Sequence, residues 1–379
     1  MLNIHSSQTE IINTIKLLLF KENPSLLEKI DFDDDKLFLE PLLFIYFNQK
    51  VKNSLSNDLL TELIQGYFLS KHEVKINHSF NENDITYLPK LGYFKKNEPT
   101  FSEPIYLIEN TNIEVLKYSG NLLRNIFRDT SGNLISDCDI ILDITLFKKN
   151  IVYLTNAVTL IKENSNDHFQ LIEKCCKKIL LFKSDPSNTN SFASIKAHGI
   201  AFLNVYQYEY DEVFFIDDVA HQTGHIILTT LFYNRKTIFK INEEQDVEDI
   251  LKLKDHRTIY ILLHALYTYY TTLLCLDNCL KNNKFNKQQE KEAIGRIGFY
   301  LNKCYFDLNR FEKINLFYNG IDNVLTEDGK EIYKLIQKKY FEICQKWQTT
   351  TNNFDYSNQP YNFTFKLFDK LNTLKRTQL

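Results

Sequence analysis

His221 and His225 stand four residues apart in DDVAHQTGHII, residues 217–227. On an α-helix that spacing puts both imidazoles on one face, where they can share one metal ion. In zinc hydrolases the same frame reads H-E-x-x-H, and the glutamate is the base that activates metal-bound water. Here that position is Gln222. An amide has no basic lone pair to take the proton, yet its shape is close to that of glutamate. The substitution preserves room for a metal and removes hydrolysis. A facial set of ligands with open positions, as in iron(II) oxygenases, is the chemistry that needs no such base.

The pair alone is weak evidence. Nine histidines in 379 residues yield roughly 0.2 such pairs by chance, so one packed and one solvated histidine is the plain alternative. Asp217 and Asp218 precede His221 by four and three residues. They either orient an imidazole from behind or supply ordinary charge near a helix start. His264 lies in the apolar stretch YILLHALYTYY, where a polar ring needs a partner. It is either a third ligand or a satisfied core histidine, and Glu243, Glu244 and Asp255 are carboxylates able to take the ligand role instead. Arg257, seven residues before His264, is expected two turns away on the same helix face. It is either a carboxylate clamp or a surface arginine at a helix start.

FFIDDVAHQTGHIIL followed by DHRTIYILLHALYTYYTTL resembles the HExxH-motif peptide-modification proteins, which are iron(II)/2-oxoglutarate-dependent peptide β-hydroxylases of ribosomal peptide biosynthesis. The shared pattern is a metal helix, then, after a spacer of about forty residues, an arginine and a histidine on an apolar helix. It covers residues 198–275. The resemblance implies Fe(II) held by His221, His225 and His264, with 2-oxoglutarate chelating the ion and pairing through its distal carboxylate with Arg257. It also implies O₂ as co-reactant and a ribosomally made precursor peptide as substrate, hydroxylated at a β-carbon. The departure from the family pattern is Gln222. A zincin-like metallopeptidase and a non-catalytic peptide-binding scaffold derived from a metalloenzyme are the competing readings.

These residues need helices to carry them. Only 10 Gly and 7 Pro occur against 29 Phe and 22 Tyr, a balance that favours long helices around an aromatic core. The expected fold is α+β and predominantly helical. A helical N-terminal region over 1–110, suited to peptide binding, precedes a catalytic metal-binding part over 111–379 with a small sheet and the HxxxH helix. Apolar spacing predicts helices in TEIINTIKLLLF, DKLFLEPLLFIYFNQKV and NDLLTELIQGYFLSK, another over 112–127, and several beyond 255. PIYLIE, DCDIILDI, KILLF, AHGIAFLNVYQY and KTIFKI read as strands. The strand near His198 is expected to offer a free edge to an extended peptide, with His198 itself structural. His168 is expected to have no metal partner. Tyr267, Tyr269 and Tyr270 either line a pocket near His264 or pack in the core, core packing being favoured, and the polar tail after Thr349 reads as loosely ordered.

A net charge of −3 gives no field to gather nucleic acid or an anionic membrane. No phosphate-binding loop, dinucleotide fingerprint or nucleophile elbow is present. The seven cysteines form no C-x-x-C pair and read as reduced thiols. The start lacks the basic, small-residue pattern of a signal peptide, and IKLLLF and PLLFIYF are too short to span a bilayer. A cytoplasmic protein is the expectation.

Overall fold

The computed structural model describes residues 4–376, apart from 51–54, 71–72, 82, 119, 128–132, 134, 136–138, 208–209 and 283–284. The fold is α+β and predominantly helical, 61% helix and 10% strand, so helices must supply most of the site. Four N-terminal helices, α1 (Ile4–Glu22), α2 (Asp35–Phe38), α3 (Pro41–Lys50) and α4 (Asn57–Ile64), lead into an antiparallel sheet of β1 (Ile85–Leu88), β2 (Gly92–Lys95) and β3 (Glu98–Glu103). Next come β4 (Glu114–Leu116), α5 (Asn121–Arg124), α6 (Ile144–Asn164), α7 (Asn166–Cys175), β5 (Lys178–Phe182), β6 (Phe192–Ala193) and β7 (Ile200–Asn204). The remaining elements are helical: α8 (Glu212–Leu231), α9 (Val247–Leu251), α10 (Ile259–Lys281), α11 (Lys287–Phe317), α12 (Ile321–Val324), α13 (Glu327–Thr351) and α14 (Phe365–Arg376).

The second sheet runs β4-β5-β7-β6, with β4, β5 and β7 parallel and β6 antiparallel to β7. All five residues of β5 and of β7 are buried, as expected where both faces of a sheet are covered. Alternation then sorts side chains between two cores. Ile179, Leu181, Ala201 and Leu203 join α6, α7, α8, α10, α11 and α13 on one side. Leu180, Phe182, Ile200 and Phe202 join residues of α1, α3, α4 and β2 on the other. The N-terminal region therefore packs directly on the sheet. A buried Lys178 reinforces the join, its Nζ 2.7 Å from Glu114 Oε2 and 3.2 Å from Glu40 Oε2.

Several expectations need correction. The helix expected over 112–127 is instead β4 followed by short α5. Its NIEVL start holds two β-branched residues, and a buried parallel pairing with β5 outweighs helical spacing. PIYLIE is not a strand, though Leu107 makes one bridge to Glu114. Within DCDIILDI, residues 137 and 138 lie outside the described set, Ile141 makes a single bridge to Lys183, and Ile144 already begins α6. KTIFKI is a 3-10 turn with one bridge at Phe239. The β1–β3 sheet was not anticipated in the N-terminal region. β7 is paired with β5 over all five residues and with β6 at Ala201 and Phe202, so the edge expected for a peptide is taken up there.

Residues 350–376 are ordered, against expectation: Phe363 and Phe368 are buried and α14 packs on α11. α10 is long and apolar enough to cross a membrane, a test that core helices also pass, and 67% of its most apolar window is buried in this fold. Cys138 lies outside the described residues; the other six cysteines are free thiols and mostly buried.

Candidate functional site

α8 and α10 carry the histidines and touch along their length. Each starts at a polar residue that satisfies an otherwise unpaired amide. Asp211 accepts from Val213 N and Thr258 from Ile261 N. Gly224 lets the helices approach closely: a Cβ there would lie 2.6 Å from Thr271 Oγ1 and 3.4 Å from Thr268 Cα. α8 is otherwise buried nearly all round, and a partly open stripe runs through His221, His225 and Thr229 at four-residue steps.

The two histidines of this stripe face a cavity of ≈ 240 Å³. His221 and His225 line it from α8 and His264 from α10, together with Gln222, Arg257 and Tyr269. The ring centres of His221 and His225 are 5.1 Å apart, and those of His225 and His264 4.7 Å. The structure thus brings the three histidines together. Burial lowers all three basicities, His221 to about 3 and His264 to about 4, with His225 well below the ordinary value. At neutral pH the cluster is three uncharged imidazoles, the state in which the ring is a ligand.

His264 Nε2 lies 3.3 Å from both His225 Nδ1 and the His225 carbonyl oxygen. In one neutral tautomer a proton on His264 Nε2 serves both acceptors; in the other its lone pair is free for an ion. The 3.3 Å separation is also close to that of two nitrogens each about 2.1 Å from one ion. His221 Nδ1 is buried without a hydrogen-bond partner. Donor type therefore fits a metal, and the His225–His264 pair fits in spacing. The third donor is not in place: among the described residues no group of three or more His, Cys, Asp or Glu is arranged to hold an ion.

Neither aspartate backs a histidine. Asp217 is buried against Arg296 of α11, Oδ2 to Nη1 2.6 Å. Asp218 accepts from Ser191 Oγ at 2.6 Å and from Gln222 Nε2 at 3.1 Å. Burial pushes its carboxyl up to about 7. Gln222 is thus turned toward a carboxyl, and its Oε1 is left buried and unpartnered.

Arg257 lies before the α10 cap rather than on the helix, which corrects the shared-face expectation. It reaches the cavity but is engaged. Nε and Nη2 bond Asp255, Nη1 and Nη2 bond Asp307, all within 2.7–2.8 Å. Four of the five N–H donors of a guanidinium are used. The carboxylates outweigh burial and hold its basicity above the ordinary value. Asp255 is therefore Arg257's partner, and Glu243 and Glu244 pair with Arg235; none of the three lines the cavity.

His198 is structural, bonded to Thr230 Oγ1 at 3.1 Å. His168 is buried with Nε2 unpartnered, away from this cavity. Tyr269 lines it, whereas Tyr267 and Tyr270 line a different one.

Sequence reasoning missed the opposite wall. Arg296, Tyr300 and Lys303 of α11 line the cavity, and their steps of four and three residues mark one helix face. That spacing was the available signal. Tyr361, Asn362 and Phe363 close the wall from the segment between α13 and α14. No family model matches the chain and no curated protein matches it. The site is therefore read from its own residues.

Proposed function

We propose that the protein is an iron(II)/2-oxoglutarate-dependent oxygenase that hydroxylates the β-carbon of a residue in a ribosomally made precursor peptide in the cytoplasm. The observation that carries this reading is the meeting of three neutral histidines in one cavity beside a glutamine with no base function. His225 and His264, with His221 as third donor, would hold the ion. Iron(II) with 2-oxoglutarate and O₂ supplies an oxidant able to attack an unactivated C–H bond. The chain's own contribution is positional. α8 and α10 hold the imidazoles uncharged, Asp218 holds the Gln222 amide, and Tyr206, Tyr210, Tyr269 and Tyr300 wall the cavity.

The test is an anaerobic titration of the protein with Fe(II) and then 2-oxoglutarate. The expected result is a weak visible charge-transfer band that is lost in His221→Ala and in His264→Ala. Iron binding without the band sinks the 2-oxoglutarate mechanism. One observation favours a non-catalytic peptide-binding scaffold instead: His225 and His264 already satisfy one another, with no three-donor group among the described residues. Failure of any metal to bind selects that reading.

A further inference from the structure

Three cations line the cavity, and two are already neutralised. Arg257 is forked between Asp255 and Asp307. Arg296 is buried between Asp217 and Glu292. Lys303 differs. Among the described residues no carboxylate lies within salt-bridge distance of its ammonium, whose hydrogen bond is to the carbonyl oxygen of Tyr361 at 2.7 Å. Three rings surround it, with centres 4.1 Å (Tyr361), 4.8 Å (Phe299) and 5.9 Å (Tyr269) from Nζ. Such a cage favours a cation, and of the three donors of the ammonium one is taken by the Tyr361 carbonyl oxygen.

The position is also informative. Tyr361 is 76% exposed, so Lys303 stands where the cavity meets solvent. Tyr269 bridges inward, its ring 6.3 Å from that of His221. Whatever binds the ammonium thus sits about one aromatic ring from the histidines. Near them, His221 Nδ1 and Gln222 Oε1 also lack partners. Asp217 and Asp307 act on this ammonium only from beyond salt-bridge distance, so the cavity has room for an anion at Lys303, while the unpartnered His221 Nδ1 and Gln222 Oε1 leave polar positions beside it.

We infer that Lys303 is the anion-binding residue of this cavity and that its ligand presents a carboxylate there. The inference deepens the oxygenase reading and rests on it only for the owner of the carboxylate: an oxo-acid cosubstrate, or an acidic side chain of the peptide. The caged cation itself stands without that reading.

The experiment measures binding to the full chain, metal-free and anaerobically loaded with Fe(II), of four probes at up to millimolar concentration. They are 2-oxoglutarate, succinate, a glutamate-containing tripeptide blocked at both ends, and the uncharged succinamide. Calorimetry gives affinity, and protection of Lys303 from acetylation, read by mass spectrometry, gives location. At least one carboxylate should bind and protect Lys303 while succinamide does not. Affinity for it should fall about ten- to a hundredfold in Lys303→Met, the range of a charge-assisted hydrogen bond, and recover in Lys303→Arg. Protection by 2-oxoglutarate alone assigns the site to the cosubstrate; protection by the tripeptide alone assigns it to the substrate. The inference is overturned if no carboxylate protects Lys303 in either state, or if Lys303→Met binds every probe as wild type does. Carboxylate binding through Lys303 in a protein that takes no Fe(II) retains the inference and sinks the oxygenase reading. Normal Fe(II) binding with Lys303 unprotected does the reverse.

Discussion

Replacing Asp218 by asparagine should make the protein more stable at neutral pH, and the gain should depend on pH in a defined way. Burial holds this carboxyl at about 7 against an ordinary value of 3.8. Each tenfold change in the proton equilibrium is worth about 1.36 kcal/mol. Ionised Asp218 therefore costs the fold on the order of 4 kcal/mol once the pH exceeds 7. Between 3.8 and about 7 the folded state binds the proton that the unfolded chain releases. This contribution is intact below that window and is lost as pH rises through it. Asn keeps the size and removes the charge. Its carbonyl oxygen keeps one of the two present donors, and once the Gln222 amide turns over, the Asn amide donates to Gln222 Oε1, which now has no partner. Urea unfolding of wild type and Asp218→Asn across acid to mildly alkaline pH tests this. The difference should be small near the acid end of the window and grow to several kcal/mol in favour of the variant at its top. A pH-independent difference, or a variant less stable above neutrality, would show instead that Asp218 is an ionised anchor for Gln222 and Ser191.

Arg257→Ala should lower the melting temperature strongly, at a cost of about 3 kcal/mol, because it leaves Asp255 and Asp307 with Arg310 alone. Its carboxylate affinity should stay within about twofold of wild type (under 0.5 kcal/mol); a stable variant with a tenfold loss would restore Arg257 as the clamp. Gly224→Ala places a methyl against Thr271 Oγ1, and should destabilise by about 1–3 kcal/mol despite the better helix propensity of Ala. Fe(II) affinity should fall with it as α10 moves away from α8. An unchanged or raised melting temperature would show that the helices yield there without cost.

The long helices were legible from their apolar spacing, and the structure adds the polar caps that agree with it, Thr258 before α10 and Asn286 before α11. The histidine pair was legible for the same reason, since helical periodicity alone puts His221 and His225 on one face. What failed was what depends on partners distant in sequence. β4 is three residues long, and only its pairing with β5 makes it a strand. The segment around Phe363 reads as polar tail until Phe299 and Arg296 are placed beneath it. Arg257 lines the same cavity as the histidines, but Asp307, fifty residues on, decides what its guanidinium is free to do. Nothing in local spacing reports a counterion supplied from another helix.

The close contact of α8 and α10 at Gly224 bears on the entropy of binding. His225 adjoins that glycine, and His264 lies one turn from Thr268, against which the glycine packs. The imidazoles are therefore carried by two helices too close at Gly224 to admit even a methyl group without adjustment, and the backbones that present them are ordered when the chain folds. A ligand arriving later meets groups already ordered and bears little of that cost itself. Its affinity then reports mainly on the bonds it makes, so weak binding here would signal the wrong ligand more than a loose site.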